Sequence, residues 1–358
     1  MRALAIAIVA LVLVQPRVLF CCDADSMSVT VSLLADLVYS RSNASFENKN
    51  RLFTLQPSVD KTVGLMQGQI KVAGTSRSLW WNLTFQEGWF TKANYLGEDA
   101  NWRFLQEASM HGRISDKLVI RAGVMPSHIG YESMIARENI TLSRSFTADN
   151  TPYYETGIAA RYEAQDNLTV QFLVLNGWQR IVDNNDHISC GTSVSYVPHP
   201  KVEMSWNTYL GNDQPRGSAK LLRLHNNFWT SINVTEDLTL VGLLDLGLQE
   251  RVQQGMSQQW YAGAVSRYRL SKDLSIAGRI EHYADPDASI VQTPLGGSFI
   301  ASAASINADF RILPSLLLRG EWRTIQYNDA FLNRQTITPR SSESYVTISI
   351  STALGNPL

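Results

Sequence analysis

Apolar and polar residues alternate along most of this chain, in segments that are joined by short, mostly polar turns. Each turn is followed by an aliphatic residue that restarts the alternation, as in Ser115-Asp116-Lys117 before Leu118. Alternation with a period of two residues between turn-forming residues predicts antiparallel β-hairpins. Longer connections rich in Asn, Asp, Gly and Pro separate the turns, and this succession of short and long loops predicts an outer-membrane β-barrel. Six turns have this form: 115–117, 165–167, 199–201, 235–237, 271–273 and 313–315.

Tracing the alternation predicts an all-β fold, a closed antiparallel transmembrane barrel of about 16 strands, an even number as in single-chain bacterial barrels. No Pro- or Ser-rich linker interrupts the strands, so residues 25–358 are predicted to form one outer-membrane β-barrel domain. If the N-terminus is periplasmic, the short turns are periplasmic and the long loops are extracellular. The predicted strands cover residues 28–40, 63–73, 77–89, 103–114, 118–125, 152–164, 168–178, 187–198, 202–210, 221–234, 238–249, 259–270, 274–284, 300–312, 316–327 and 343–353.

The turns also predict which side chains face the lumen. Residues that flank a three-residue turn oppose each other, and opposed residues point to the same face of the sheet. Leu270 then opposes Leu274, and Ile312 opposes Leu316, on the side that carries the other apolar residues. That side is predicted to meet lipid, because a charged side chain there would cost about 2–4 kcal/mol at the bilayer midplane. The opposite side is predicted to line a water-filled pore with Arg113, Arg121, Arg161, Glu203, Asp245, Arg267, Arg279, Glu281, Asp309, Arg319, Glu321 and Arg323.

The first residues of the chain predict export. An apolar stretch, residues 3–14, follows Arg2, and it is much shorter than the roughly 20 residues of a membrane-spanning helix. We interpret residues 1–24 as a secretory signal peptide, because Cys22 and Ala24 are small residues at the positions that signal peptidase recognises. A lipoprotein signal at one of the two adjacent cysteines is a weaker alternative, since bulky residues precede them.

Charge and cysteine usage exclude some classes of protein. The formal net charge of the whole chain is −1, and removal of residues 1–24 takes away two positive charges and one negative charge. A chain so close to neutrality is not expected to bind nucleic acid. Cys190 would be the only cysteine left after cleavage, which excludes an intrachain disulfide or a cysteine metal site in the mature protein.

The longest polar connection, residues 126–151, follows the predicted fifth strand. A loop of this length inside a compact architecture is usually functional. We predict that it folds at least partly into the lumen and narrows the pore; a loop that only covers the mouth of the barrel is the alternative. The candidate constriction residues are His128, Glu132, Arg137, Glu138 and Arg144.

Motifs for catalysis or cofactor binding do not appear in the sequence. The six histidines are scattered, and there is no His-Glu-x-x-His, P-loop or dinucleotide fingerprint, so we expect no enzyme, no metal and no cofactor. An outer-membrane lipase would need Ser and His side by side on the lipid face. His282 is predicted to face lipid, and its neighbour in the preceding strand is Ala262. The sequence does not identify its neighbour in the following strand.

Three runs of residues carry a resemblance to a known family: GVMPSHIGYES at 123–133, PYYETG at 152–157 and NGWQ at 176–179. With GND at 211–213, RIE at 279–281 and RGE at 319–321, the chain resembles the OmpL-like outer-membrane β-barrel porins, which are common in Bacteroidetes and related bacteria. The likeness extends over most of the mature chain. It implies a pore in the outer membrane of a Gram-negative bacterium. It assigns no binding residues, because the substrates of the family are largely undefined.

These observations predict a channel for small hydrophilic solutes or ions, because a barrel of about 16 strands encloses a water-filled lumen. The alternative is a binding, adhesion or structural barrel whose extracellular loops carry the function. The expected partners are membrane lipid and small hydrophilic solutes. The sequence leaves open whether the chain forms a homo-oligomer. The inward-facing charges are slightly basic, so we predict a weak anion preference at low salt, with Arg121 and Arg279 as its determinants.

Overall fold

The computed structural model describes residues 18–19, 27–44, 46, 48–185, 187–293, 297–328 and 341–355. Sixteen strands form one antiparallel barrel sheet in which each strand pairs with the next and the last pairs with the first. The predicted closed barrel of 16 strands is therefore confirmed. The strands are β1 (Ser28–Ser42), β2 (Val63–Thr75), β3 (Leu79–Glu87), β4 (Leu105–Arg113), β5 (Leu118–Pro126), β6 (Tyr154–Gln165), β7 (Leu168–Leu175), β8 (Ser189–His199), β9 (Val202–Asn212), β10 (Leu222–Asn233), β11 (Leu238–Arg251), β12 (Gly255–Arg269), β13 (Leu274–Asp285), β14 (Phe299–Leu313), β15 (Leu316–Tyr327) and β16 (Ser342–Leu354).

The predicted cleavage site of the signal peptide lies outside the described residues, which begin with 18–19 and continue from 27. The short strand Val18–Leu19 pairs with Val29 and Ser28 at the beginning of β1. The division of the chain into residues 1–24 and 25–358 stays a prediction.

Side chains alternate between the two faces of the wall as predicted. In the hairpin of β12 and β13, Tyr268 opposes Ile276, and both are more than 40% exposed on the outside. Between β14 and β15, Asp309 opposes Arg319 on the inside. An outward apolar band and an inward polar face are what a lipid-embedded barrel requires, because lipid offers no partner to a polar group.

Three predicted turns, 165–167, 199–201 and 313–315, are one residue shorter in the structure, and a β-bulge lies beside each of them. The turn 313–315 is an example. Leu313 opposes Leu316, so Ile312 is the extra residue of a β-bulge and does not oppose Leu316 as predicted. The bulge absorbs one residue beside the turn, and Phe310 still opposes Leu318 farther along the hairpin. A bulge changes the spacing locally without a change of sequence periodicity elsewhere, and for this reason the alternation did not reveal it.

Short and long connections lie at opposite ends of the barrel, which we call the short-turn rim and the long-loop rim. The short-turn rim carries connections of two to four residues, such as 166–167 and 270–273. The long-loop rim carries 43–62, 88–104, 127–153, 176–188, 213–221 and 286–298, with a three-residue turn at 252–254. Helix α1 (Trp89–Asn94) lies in the second of these loops, and a 3-10 helix (Ala136–Glu138) and helix α2 (Phe146–Asp149) lie in the third. Within the described part of the chain, no helix is long and apolar enough to span a membrane.

The buried core lies inside the barrel rather than between layers. Phe146 of α2 is fully buried, and its ring packs edge-on against Tyr283 and Phe299 of the wall. Ile140 of the same loop belongs to this cluster. An apolar core inside the lumen requires a loop that fills it, and the loop is 127–153.

Candidate constriction site

The loop 127–153, which we call the inward loop, lies inside the barrel and contacts the inner face of the wall. The backbone N–H of Phe146 donates a 2.8 Å hydrogen bond to Glu281 Oε2 on β13, and the hydroxyl of Thr147 donates to Asp245 on β11. Ser143 donates from its hydroxyl to Glu321 Oε1 on β15 at 2.9 Å. Three strands that are far from the loop in sequence therefore hold it in place.

Two arginines of the wall form ion pairs with one glutamate of the inward loop and with two glutamates of the wall. Arg279 Nη1 lies 3.4 Å from Glu132 Oε1 in the loop, and Arg279 Nε lies 3.1 Å from Glu281 Oε1. Arg279 also donates to the carbonyl of Ser143 at 2.8 Å. Arg323 reaches Glu281 Oε1 at 2.7 Å, and Glu321 lies 3.6 Å from Arg279. These side chains are buried, and loss of one partner from a buried ion pair typically costs about 3–5 kcal/mol.

Arg319 holds the part of the inward loop that begins with the 3-10 helix. Its Nε donates to Asp309 Oδ1 at 2.7 Å across the hairpin, as the predicted strand pairing indicates. Its Nη2 donates to the carbonyl oxygens of Asn139 at 2.8 Å and Ile140 at 3.3 Å. The guanidinium thus satisfies carbonyl groups that follow a short helix and lack partners within it.

The predicted pore-lining residues all face inward, but they divide into two groups. The prediction that the whole set meets water is wrong for the six that the inward loop covers, because their side chains bind the loop or each other: Asp245, Arg279, Glu281, Arg319, Glu321 and Arg323. The other six retain exposure to the lumen, fully or in part: Arg113, Arg121, Arg161, Glu203, Arg267 and Asp309. The sequence shows which face a residue occupies, and only the fold shows which part of that face a loop covers.

The five predicted constriction residues have different surroundings. Glu132 pairs with Arg279, and Glu138 is exposed. His128 is buried where the loop begins; its Nδ1 lies 2.9 Å from Glu155 Oε2 and its Nε2 lies 2.8 Å from the carbonyl oxygen of Thr208. Arg137 and Arg144 bind uncharged groups. Arg137 donates to the carbonyl oxygens of Ser351 and Pro314, and Arg144 donates to Gln56 and stacks on Tyr153 and Phe90.

A second loop, 43–62, also packs inside the barrel, and the sequence did not indicate it. Its Arg51 lies 3.4 Å from both Asp60 Oδ1 and Glu343 Oε1, and its guanidinium stacks on the ring of Tyr345 at 3.8 Å. The loop has no alternation, and five of its 20 residues are charged, with both signs present. No sequence signal distinguishes it from a loop that lies outside the barrel.

Two cavities border the inward loop near its 3-10 helix. The first, which we call the middle cavity, has a volume of about 280 Å³ and lies between the loop and the inner face of β2, β3 and β4. The second, which we call the rim cavity, has about 330 Å³ and opens among the short turns. Glu138 lines both cavities. The 3-10 helix of the inward loop therefore lies between two polar spaces.

Asp149 connects the two loops that fill the barrel. Its carboxylate accepts a 3.3 Å hydrogen bond from the backbone N–H of Leu55 and a 2.9 Å hydrogen bond from the hydroxyl of Tyr153. Burial raises the pKa of Asp149 to about 6, although Arg144 and Arg323 lower it in part. Since this pKa lies above the ordinary value of 3.8, ionisation opposes the packing of the loops. The contribution of protonated Asp149 to the stability of the packed loops is therefore lost as the pH rises through 6.

We expect Asp149→Asn to remove this pH dependence. In the wild type, the inward loop should be more stable at pH 4.5 than at pH 7.5, by about 3 kcal/mol at most for a shift of this size. In the variant, the two values should agree. Hydrogen exchange of the loop amides at both pH values measures the difference. The matched control is Asp99→Asn, at an exposed carboxylate, which should leave the wild-type pH dependence unchanged; the same result for Asp149→Asn would contradict the assignment.

A polar pair on the outer wall answers a question that the sequence left open. His282 lies between Ala262 and Ser302 of the neighbouring strands, and its Nδ1 is 2.8 Å from the hydroxyl oxygen of Ser302. The ring of His282 also packs against Trp260, with 4.8 Å between the ring centroids. Among the described residues, no carboxylate contacts His282, so the pair lacks the third group that orients a catalytic histidine.

The wall and the inward loop together define the class of this protein, which is a porin channel of the outer membrane of Gram-negative bacteria. The sequence matches the family model described as "Putative beta-barrel porin-2, OmpL-like" over residues 28–354, and the chain belongs to this family. The resemblance predicted from the sequence is thereby confirmed. No functionally curated protein matches the sequence.

Several solved structures share the fold. The anion-selective porin from Comamonas acidovorans is similar with a TM-score of 0.63 at 13% identity, over 92% of this chain and 100% of that chain. The outer membrane channel DcaP of Acinetobacter baumannii has a TM-score of 0.62 at 8% identity, over 94% and 99% of the two chains. The trimer form of OmpT, an outer membrane protein of Vibrio cholerae, has a TM-score of 0.60 at 10% identity, over 91% of this chain and 99% of that chain. At such low identity, these likenesses show the fold alone.

Proposed function

We propose that small hydrophilic solutes and ions cross this barrel past the inward loop, which acts as the constriction. One observation carries this proposal: the loop separates two polar cavities, and both are lined by Glu138. A solute that moves between the cavities passes this carboxylate. Polar cavities in series are what a hydrated solute needs, because each offers hydrogen bonds in place of lost water.

Conductance in a planar lipid bilayer tests the proposal. We expect the purified, refolded protein to give steady single-channel steps in potassium chloride. Insertion without steady steps would contradict it and would favour the alternative, a barrel that serves as a scaffold for binding or adhesion by its loops.

We propose that the charge selectivity of the pore is weak and that the rim cavity determines it. This cavity carries five basic and five acidic residues: Arg137, Arg267, Arg269, Lys272 and Arg311, and Glu138, Glu236, Asp237, Asp273 and Asp309. The two signs balance in number, so neither ion type is strongly excluded. The weak anion preference predicted from the sequence stays a prediction.

We expect the double variant Arg267→Glu and Arg311→Glu to make the channel cation-selective at low salt. It adds negative charge to a cavity that is otherwise balanced, and charges within about 10 Å of the path act on ions at 0.1 M salt. Reversal potentials under a potassium chloride gradient measure the change, which should disappear near 1 M salt. Lys117→Glu, in the turn between β4 and β5, is the control; equal reversal potentials for all three proteins would count against the rim cavity.

We also propose that the porin assembles as a homo-oligomer in the outer membrane, surrounded by lipid. The trimer form of the Vibrio cholerae protein supports this proposal for a barrel of the same fold. Light scattering of the detergent-solubilised protein, corrected for bound detergent, distinguishes a trimer from a monomer.

A further inference from the structure

We infer that the middle cavity is a binding site for a small, neutral, polyhydroxylated solute of about the size of a monosaccharide. This inference rests on the proposed channel function, because it names the class of solute that the constriction recognises. The volume of the middle cavity, about 280 Å³, corresponds to roughly nine water molecules. That space admits one hydrated sugar ring and not a longer chain.

A row of three polar side chains crosses the wall of the cavity. Lys71 of β2 opposes Thr84 of β3, and Thr84 opposes Glu107 of β4. Lys71 Nζ lies 4.0 Å from Glu107 Oε2, so the two charges at the ends of the row pair with each other. Thr84 between them is only 2% exposed, and its hydroxyl has no hydrogen-bond partner among the residues that the structure describes. A buried hydroxyl without a partner is costly unless something else supplies the hydrogen bond.

A β-bulge adds a second polar row beside the first. The register between β3 and β4 shifts at this point, since Thr84 opposes Glu107 while Phe85 opposes Leu105. Gln106 is therefore the extra residue, and its side chain lines the cavity together with that of Glu107. Bulges re-aim side chains in this way and occur preferentially beside functional sites.

The amides of the second row have capacity left for a ligand. Gln69 Nε2 donates a 2.6 Å hydrogen bond to Gln106 Oε1 across the cavity wall. This bond uses one donor of Gln69 and one acceptor of Gln106. The amide oxygen of Gln69 can still accept a hydrogen bond, and the amide nitrogen of Gln106 can still donate. Paired donors and acceptors at a fixed spacing match the vicinal hydroxyls of a sugar, each of which donates and accepts.

The opposite side of the cavity is largely apolar. The inward loop contributes Ile129, Met134 and Ile135, and Pro126 and Pro152 flank them. A sugar ring has hydroxyls around its edge and C–H groups on its faces. A cavity that is polar on one side and apolar on the other fits such a ring, because a fully hydrated ion would gain nothing from the apolar side.

Charge pairing favours a neutral solute over an ion. Lys71, the only basic residue among the described residues that line the cavity, pairs with Glu107, and Glu132 pairs with Arg279. Glu138, which also lines the rim cavity, remains. A carboxylate or phosphate would meet Glu107 and Glu138 beside its one cation, and a cation would meet Lys71. A ligand without net charge avoids both costs.

Titration of the open channel with glucose tests the inference. We expect glucose to reduce the single-channel current with a saturable dependence on its concentration. The variant Thr84→Val should raise the half-blocking concentration of glucose at least tenfold. Gln106→Leu should have a similar effect. The control is Thr239→Val, because Thr239 lines the rim cavity and not the middle cavity.

Several results would overturn the inference about the binding site without contradicting the proposed channel function. These are steady currents with no saturable effect of glucose, saturable block by phosphate or by the lysine cation in place of glucose, and glucose block that Thr84→Val and Gln106→Leu leave unchanged. If no current is seen at all, the channel function fails, and calorimetric titration of the purified barrel with glucose still decides about the site. Heat of binding that Thr84→Val abolishes would support it, and no heat would reject it.

Discussion

Deletion of residues 136–145 is expected to raise the single-channel conductance several-fold. These ten residues include the 3-10 helix, Ser143 and Arg144, and Glu138 among them lines both cavities. The barrel should still fold, because the strand ladder does not depend on the loop. The wall should stay neutral after deletion, since the arginines that the deletion uncovers, Arg279, Arg319 and Arg323, remain beside Glu281, Glu321 and Asp309. Single-channel recording in potassium chloride measures the change.

A deletion on the same rim provides the control. Removal of residues 214–219 shortens the loop between β9 and β10, which does not line either cavity. Its conductance should equal that of the wild type. If the deletion of 136–145 also leaves the conductance unchanged, ions do not pass the inward loop, and the constriction lies elsewhere.

The wall of the barrel could be predicted from the sequence because its signal is local. All 16 strands appear where the alternation predicts them, and their bounds differ from the predicted ones by four residues at most, as at Gly255, where β12 begins. The register of each hairpin depends on its own turn. The exceptions are the β-bulges beside three of the turns, such as the one at Ile312, where one additional residue leaves the surrounding pattern unchanged.

The constriction could be predicted only in outline, because it depends on contacts between distant residues. The length and polarity of the inward loop indicated that it matters. Its anchor on Arg279 joins residues 147 positions apart, and no periodicity records such a contact. The loop 43–62 and the cavity residues Thr84 and Gln106 were missed for the same reason. The sequence pattern of an inward-facing polar residue is the same whether its side chain contacts water, a loop or a ligand.

The structure also changes what the inward arginines are expected to do. The sequence predicts Arg279 as a determinant of ion selectivity, on the assumption that its charge meets the pore water. Its guanidinium is instead buried among Glu132, Glu281 and Glu321. A buried and neutralised charge contributes little to the potential along the path. We therefore expect Arg279 to act on the position of the loop and on stability.

Substitution of Arg279 by methionine is expected to release the inward loop. The change leaves Glu132, Glu281 and Glu321 close together, with Arg323 as the nearest remaining cation, and an uncompensated buried charge typically destabilises by about 3–5 kcal/mol. The open channel should show large current fluctuations, and the loop amides should exchange faster, while the reversal potential changes little. The matched control is Arg267→Met, because Arg267 is exposed in the rim cavity and its loss should leave current noise and hydrogen exchange as in the wild type. A quiet channel with a shifted reversal potential in Arg279→Met would instead restore Arg279 as a selectivity residue.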